Sequence, residues 1–470
     1  MKKRLLRALL LSGAGILLLQ HTASAQLSFT GQLRTRTELR DGQGTLPTSD
    51  TKASVFTSQR TRLNLSYSTD RYRFFISGQD VRVWGADQST ISNLEGGKLF
   101  LHQAWGEVIL SDSSSIKVDH LSIKAGRQEI MYDDSRLLGN LDWLQQARRH
   151  DAVVLKFSHK GWVADAGFAF NQNHGKDTPG KSGNIYQSIP AVPVAPGTNG
   201  IGMQYKSMQY GYVARTGSFG KLSMLVFKDD FQKTETVEGT TTFKEGVNSR
   251  VTIGGALFAN LSGNLSLNAA AYYQGNNDRL GHSLDAYNLT MDAAYTSGKF
   301  TINPGFDFLS GNNTSKQSKV NHRFDPLYGT PHKFWGFLDY FYVADAFGME
   351  GNPTRSPGLV DYFIRNKYKT SDKLLLTLDL HEFYAANSLA PSEALPHLKP
   401  SGRRFGTEID FVVNYSIFKN VSLEAGYATI FATDNLKLVK APAAAKEDRG
   451  QWAYLMLSIT PDFLAKNDGK

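Results

Sequence analysis

Residues Leu27–Arg40 alternate strictly. Leu27, Phe29, Gly31, Leu33, Thr35 and Thr37 occupy one set of positions, and Ser28, Thr30, Gln32, Arg34, Arg36, Glu38 and Arg40 the other. A period of two is the pattern of a β-strand and excludes an amphipathic helix. One face is apolar or small, while the other carries three arginines and a glutamate, so the second face requires water or a counter-charge. If the pattern recurs along the chain, the architecture that satisfies both faces is a closed barrel with lipid outside and a charged, aqueous lumen inside.

The pattern does recur. In 56–69, Thr61, Leu63, Leu65 and Tyr67 alternate with Arg60, Arg62, Asn64 and Ser66. Tyr72, Phe74 and Ile76 share a face, and a change of polar phase between Gln79 and Arg82 predicts a β-bulge. The same dyad returns around Leu265–Tyr273, Tyr287–Tyr295, Val360–Tyr368, Leu374–Leu380 and Ile409–Tyr415. Short connections at Asp70, Ser111–Ser115, Lys160-Gly161, Thr216–Ser218, Leu261–Asn264, Ser297–Lys299, Thr370–Lys373 and Phe418–Asn420 alternate with long ones. Asn171–Gly200, Asp230–Val247 and Asn312–Ser356 are among the long set. The expected fold is all-β: a closed antiparallel transmembrane barrel of about eighteen strands, with short periplasmic turns and long extracellular loops. The closing strand is expected over Gln451–Phe463, with Leu464–Lys470 beyond the aromatic where such barrels usually end.

The N-terminus has the order of a secretory signal peptide: Met1-Lys2-Lys3-Arg4, an apolar run from Ala8 to Leu19, and Ala23-Ser24-Ala25 before Gln26. Residues 1–25 are expected to be removed and residues 26–470 to form one outer-membrane domain. Four basic residues leave with the signal, taking the formal charge from +9 to +5. There is no cysteine, which excludes disulfides, thiolate metal sites and a lipid-anchored N-terminus. No later apolar run reaches the roughly 20 residues of a spanning helix. For an exported chain a modest basic balance points to an anionic solute or lipid surface rather than to nucleic acid.

Several short motifs stand out in the first third. They are Gln32-Leu33-Arg34-Thr35-Arg36, Ser58-Gln59-Arg60-Thr61-Arg62, Asp80-Val81-Arg82-Val83-Trp84, Gly126-Arg127-Gln128-Glu129 and Arg136-Leu137-Leu138-Gly139, with Trp143 and Asp151 after them. Together they resemble the alginate export family of outer-membrane proteins, most specifically over Gln26–Phe157. The resemblance implies an eighteen-stranded barrel in the bacterial outer membrane, with an electropositive constriction through which a polyuronate leaves the periplasm. Periplasmic export partners would fit that role, and an uptake porin for small anions or acidic oligosaccharides is the alternative. Transport would be passive, since the chain shows neither an ATP motif nor a plug domain, and its direction is not encoded.

The pore-lining candidates are Arg34, Arg36, Glu38, Arg40, Arg60, Arg62, Asp80, Arg82, Glu107, Arg127 and Glu129. Cross-strand spacing of about 5 Å packs the arginines of the first two strands into one ladder, and Glu38, Asp80, Glu107, Glu129, Glu408 and Asp410 are the candidate counter-charges. Two readings stay open: a selective path for carboxylates, which the planar guanidinium binds in bidentate fashion, or a network that braces the wall. Strict alternation from Leu121, Ile123 and Ala125 puts Arg127 outside, whereas the family resemblance favours the lumen. No catalytic trio, cofactor motif or metal spacing emerges. Asp133-Asp134 reads as solvated loop charge, and His381-Glu382 points to opposite faces.

Overall fold

In a computed structural model the described residues are 26–465, apart from 87–98, 112–117, 172–204, 239, 317, 343–346, 350–354, 394 and 441–447. The expected signal peptide and nearly all of Asn171–Gly200 therefore lie outside the described residues. The first half of the barrel is β1 (Gln26–Asp41), β2 (Ser54–Ser68), β3 (Tyr72–Val83), β4 (Leu99–Ile109), β5 (His120–Gln128), β6 (His150–His159), β7 (Trp162–Phe170), β8 (Ser207–Gly217) and β9 (Gly220–Val237). The second is β10 (Thr240–Asn260), β11 (Leu265–Asn277), β12 (Ser283–Ser297), β13 (Phe300–Leu309), β15 (Leu359–Lys369), β16 (Leu374–Tyr384), β17 (Arg404–Phe418), β18 (Val421–Ala432) and β19 (Arg449–Ile459). A two-residue strand, β14 (Val320–Asn321), lies within a connection and pairs in parallel with β12.

The eighteen long strands pair antiparallel with their neighbours, and β1 closes the cylinder by pairing with β19 from Leu33↔Ile459 to Asp41↔Gln451. Closure leaves no strand edge in the bilayer, where an unpaired backbone group would cost several kcal/mol. The outer face carries exposed apolar side chains such as Leu63, Phe74, Ile123, Val153, Leu155, Met224, Leu289 and Ile364. Positions that alternate with these are buried polar groups, among them Arg60, Ser77, Ser122, Thr252, Asn288 and Asp361.

Three local expectations change. β3 keeps an unbroken register with β2 from Ser58↔Val83 to Ser68↔Arg73, so no bulge occurs at Gln79–Arg82. The irregularity lies across from it, where Ser77 and Gly78 face Gln103 and Leu101 and leave His102 as the extra residue of β4. Asp230–Val247 is mostly strand rather than loop, because β9 and β10 continue as a paired ribbon to Val237↔Thr240. The closing strand ends at Ile459; Phe463 then folds back so that its amide bonds the Phe29 carbonyl at 2.9 Å and its ring meets Phe29 at 4.8 Å.

Asn312–Ser356 is not an outward loop along its length, for residues 322–342 run through the barrel interior, where Phe324, Leu327, Tyr328, Leu338, Tyr340 and Tyr342 have no exposed surface. A second inward segment, residues 129–149 between β5 and β6, meets it. Leu138 and Tyr328 form a parallel bridge, with Tyr328 N donating to Leu137 O at 2.9 Å and Gly139 N to Tyr328 O at 3.0 Å. Glycine is required at 139 by this approach, since a Cβ would collide with Thr330 Oγ1 and Ser135. The two segments thus meet inside the barrel in one isolated parallel bridge, which satisfies backbone groups of Leu137, Tyr328 and Gly139.

Candidate functional site

The apex of the first inward segment, residues 142–146, rests on the inner wall made by β1 and β2. Register places Arg34 opposite Arg60 and Gln32 opposite Arg62, so four polar side chains of alternate positions crowd one patch. Three guanidinium groups there converge on one carboxylate. Asp142 lies 3.2 Å from Arg34 Nη1, 2.9 Å from Arg60 Nη1 and 3.2 Å from Arg62 Nη1. Arg60 also donates through Nη2 at 3.1 Å, so it grips both carboxylate oxygens, the planar fork being suited to that geometry.

The remaining acceptors are neutral. Arg34 donates to Gln145 Oε1 at 3.0 Å and to the Asp142 carbonyl at 2.8 Å, Arg60 to Gln32 Oε1 at 2.7 Å, and Arg62 to Gln79 Oε1. Arg36 donates to the Trp143 carbonyl at 2.8 Å and lies 4.2 Å above the Trp143 ring. Arg60 is fully buried, which a lone cation would pay for with several kcal/mol; the fork, the amide and the carbonyls offset that cost. Burial pushes the Asp142 carboxyl upward, but Arg60, Arg34 and Arg62 outweigh it and hold the group below its ordinary value.

The other sequence candidates divide by face. Glu38 is buried on the inner face and bridges Arg36 at 2.8 Å and Arg40 at 2.9 Å, with Trp452 Nε1 donating to it at 3.1 Å. Glu107 is buried inside, accepting from Ser122 at 2.6 Å. Glu129 opens the inward segment, bound to His102 at 2.8 Å and Asn140 at 3.1 Å. Asp80 and Arg82, by contrast, share the register positions of Thr61 and Gln59 on the outer face and pair with each other at 2.7 Å. Arg127 is also outside: it alternates with buried Gln128, faces Asp151 across the β5–β6 pair and makes a bidentate pair with it at 2.8 and 2.9 Å. Gly126 has φ +123°, yet the β5–β6 register runs through it unbroken, so alternation prevails and the expected lumen positions of Asp80, Arg82 and Arg127 are corrected. Both pairs sit near strand ends, where charge on the lipid face costs least.

The second inward segment is fixed by inward carboxylates of β13 and β17. Glu408 Oε1 accepts Leu338 N at 2.8 Å, Asp410 Oδ2 accepts Phe337 N at 3.2 Å, and Asp307 Oδ2 accepts Trp335 Nε1 at 2.9 Å. Arg136, from the first segment, also reaches Asp307 at 2.9 Å. Tyr328 donates to Asp229 at 2.9 Å, and Arg250 holds Asp229 and Asp325 together. Sequence reasoning missed Asp142, Asp307 and Tyr328, named Arg136 only within a motif and not as a pore-lining candidate, and misjudged Asp133. That carboxylate is not solvated but accepts from Tyr212 at 2.8 Å and Ser223 at 2.9 Å and pairs with Lys221 at 2.7 Å. The only advance signal was the motif Arg136–Gly139 with Trp143, which the structure places on the inward segment itself.

An alginate export family model matches residues 25–169. Over that stretch the chain is similar to the alginate export family, and as a whole it has the fold of the outer-membrane barrels it aligns with. The matched stretch holds β1 and β2 and the whole first inward segment, so the arginine patch and the carboxylate it grips come from the same family region. No curated protein matches the sequence. Among solved structures, Pseudomonas aeruginosa OccK5 (OpdH) aligns at 10% identity over 93% of this chain and 98% of its own, with TM-score 0.54. Pseudomonas aeruginosa OpdO aligns at 12% identity over 93% and 98%, with TM-score 0.57. Pseudomonas aeruginosa OpdK, solved with vanillate, aligns at 10% identity over 93% and 99%, with TM-score 0.55. At these identities the likeness is one of fold. Among the described residues no group of three His, Cys, Asp or Glu side chains is arranged to hold a metal ion.

Proposed function

We propose that this barrel is a passive outer-membrane channel for an anionic polysaccharide of the polyuronate class, with Arg34, Arg36, Arg60 and Arg62 forming the cationic part of its path and Arg40, Glu38, Glu107 and Glu129 its flanks. The observation that carries the reading is the charge balance at the patch. Three arginines face the apex of the first inward segment, and among the described residues the one carboxylate they all contact is Asp142. A surplus of positive charge between low-dielectric walls focuses field on a passing carboxylate. Residues 1–25 serve as the export signal, the short turns face the periplasm, and outer-membrane lipid and the saccharide are the partners, with periplasmic export proteins on the inner side.

A second reading, uptake of small anions or acidic oligosaccharides, is favoured by a separate observation: two inward segments cross the lumen and narrow what can pass. OpdK, with its vanillate, shows that a barrel of this fold has been solved with a small carboxylate. Planar-bilayer recording separates the two. A polyuronate conduit gives anion-selective current that long polyuronate chains block from one side and relieve by passage. An uptake porin for small anions is blocked by monomeric glucuronate while the polymer has no effect. A cation-selective pore insensitive to both would overturn either reading.

A further inference from the structure

The arginine patch is occupied by a piece of the protein itself. Asp142 brings two carboxylate oxygens to Arg34, Arg60 and Arg62, the same group a uronate would bring, yet its side chain is 41% exposed while those of the three arginines are 6%, 0% and 10% exposed. Nη2 of Arg62 is buried with no hydrogen-bond partner, although the rest of that side chain is engaged. The nearby carboxylates are committed elsewhere, Glu38 to Arg36 and Arg40 and Glu129 to His102 and Asn140. Among the described residues the patch therefore brings three cations into direct contact with one carboxylate and holds an unfilled donor.

We propose that Asp142 is a tethered occupant of an anion site built by Arg34, Arg60 and Arg62, and that a solute carboxylate exchanges with it, releasing the apex of residues 142–146 from the wall while the solute is bound. This rests on the carboxylate-conducting reading above and adds the mechanism of entry. Exchange of one carboxylate for another conserves the bonds to the carboxylate itself, so the balance is set by the tether together with the bonds from Arg34 and Arg36 to the Asp142 and Trp143 carbonyls. A ligand on a short flexible connection has an effective concentration on the order of millimolar, and the solute must compete with that. Binding is then weak, as conduction demands of any site that must also release its ligand. The attachment suits exchange: the apex reaches β1 to β3 through side chains, including Gln145 Nε2 to Ser58 Oγ at 3.0 Å and Gln79 Nε2 to the Gln146 carbonyl at 3.1 Å.

The test uses the full-length barrel, with assembly checked by heat-modifiable migration. Asp142→Asn keeps the size of the side chain and removes its charge; glucuronate should then block current at a concentration about tenfold lower, the equivalent of one charge-assisted bond. Asp142→Glu restores the tethered carboxylate and should return the block to within about threefold of the parent protein. Because the chain has no cysteine, Leu144→Cys offers a single thiol on the apex, and its labelling rate should rise with glucuronate but not with glucose or with chloride at equal ionic strength. Equal block in the parent protein and Asp142→Asn, or labelling that follows ionic strength alone, overturns the exchange while leaving an anion-selective channel intact. Loss of anion selectivity in the parent protein would instead remove the functional reading beneath it.

Discussion

The apex of the first inward segment and the 337–338 turn of the second are held by opposite chemistries. Residues 129–149 offer carbonyl oxygens and one carboxylate to arginines of β1 and β2, whereas residues 322–342 offer N–H groups to carboxylates of β13 and β17. They differ as much in water as in charge. The second segment buries Tyr340, Phe341 and Tyr342 almost completely, and the Phe341 ring packs edge-on or tilted against Phe383, Phe347 and Phe405 at centroid distances of 4.5 to 5.6 Å. The first ends on Asp142, which sees solvent. A dry anchor is fixed by packing and cannot be traded for a solute group; a wet, charged one can. On the proposed reading, the difference makes the second segment the scaffold and the first the one that meets solute.

The largest effect tests the dry side. Phe341→Ala should cost about 3–5 kcal/mol, read as a lower temperature at which the detergent-solubilised barrel loses its compact, fast-migrating form. If Trp143→Ala in the first segment lowers it equally, the contrast between the segments fails. Gly336→Ala follows: φ is +78° and a Cβ would stand 2.5 Å from Glu408 Oε1, so the strain should cost about 1–3 kcal/mol in the same assay. On the wet side, Arg60→Gln should leave that temperature nearer the parent value but reduce anion preference severalfold in reversal-potential measurements. High salt should blunt the parent preference too, as screening shortens to about 3 Å at 1 M. An altered melting temperature with unchanged selectivity would make these arginines braces only.

A smaller effect concerns acid. The Asp142 carboxyl is held below 3.8, its ordinary value, by Arg60, Arg34 and Arg62 against the upward push of burial. A depressed value in the folded state stabilises the clamp above that ordinary value, and the gain is lost as pH falls through the lower folded value. Glucuronate block should thus hold steady from neutral pH down to about 4 and change only below it; a change near pH 6 would assign it to another group. The smallest effect belongs to the outer pair, where Arg127→Gln should cost no more than about 1 kcal/mol and leave ion preference unchanged.

The alternation at Leu27–Arg40 and 56–69 was enough to read the barrel, the closed architecture and the inner-face position of Arg34, Arg36, Arg60 and Arg62, because a period of two fixes the face of every residue once one face must meet lipid. It was also enough for Arg127, where the strand's own phase was the better guide than resemblance. It failed at Asp80 and Arg82, since a change of polar phase was taken for a bulge that lies on β4 instead.

What the sequence by itself determined, then, is the wall: strand period, lipid face and the charge of the lumen follow from residues two apart. Only the tertiary structure decided what fills the lumen. Asp142 is 108 residues from Arg34 and 82 from Arg60, and Glu408 is 70 from Leu338. Such contacts are set by where irregular segments pack inside the closed cylinder, and no local periodicity records them.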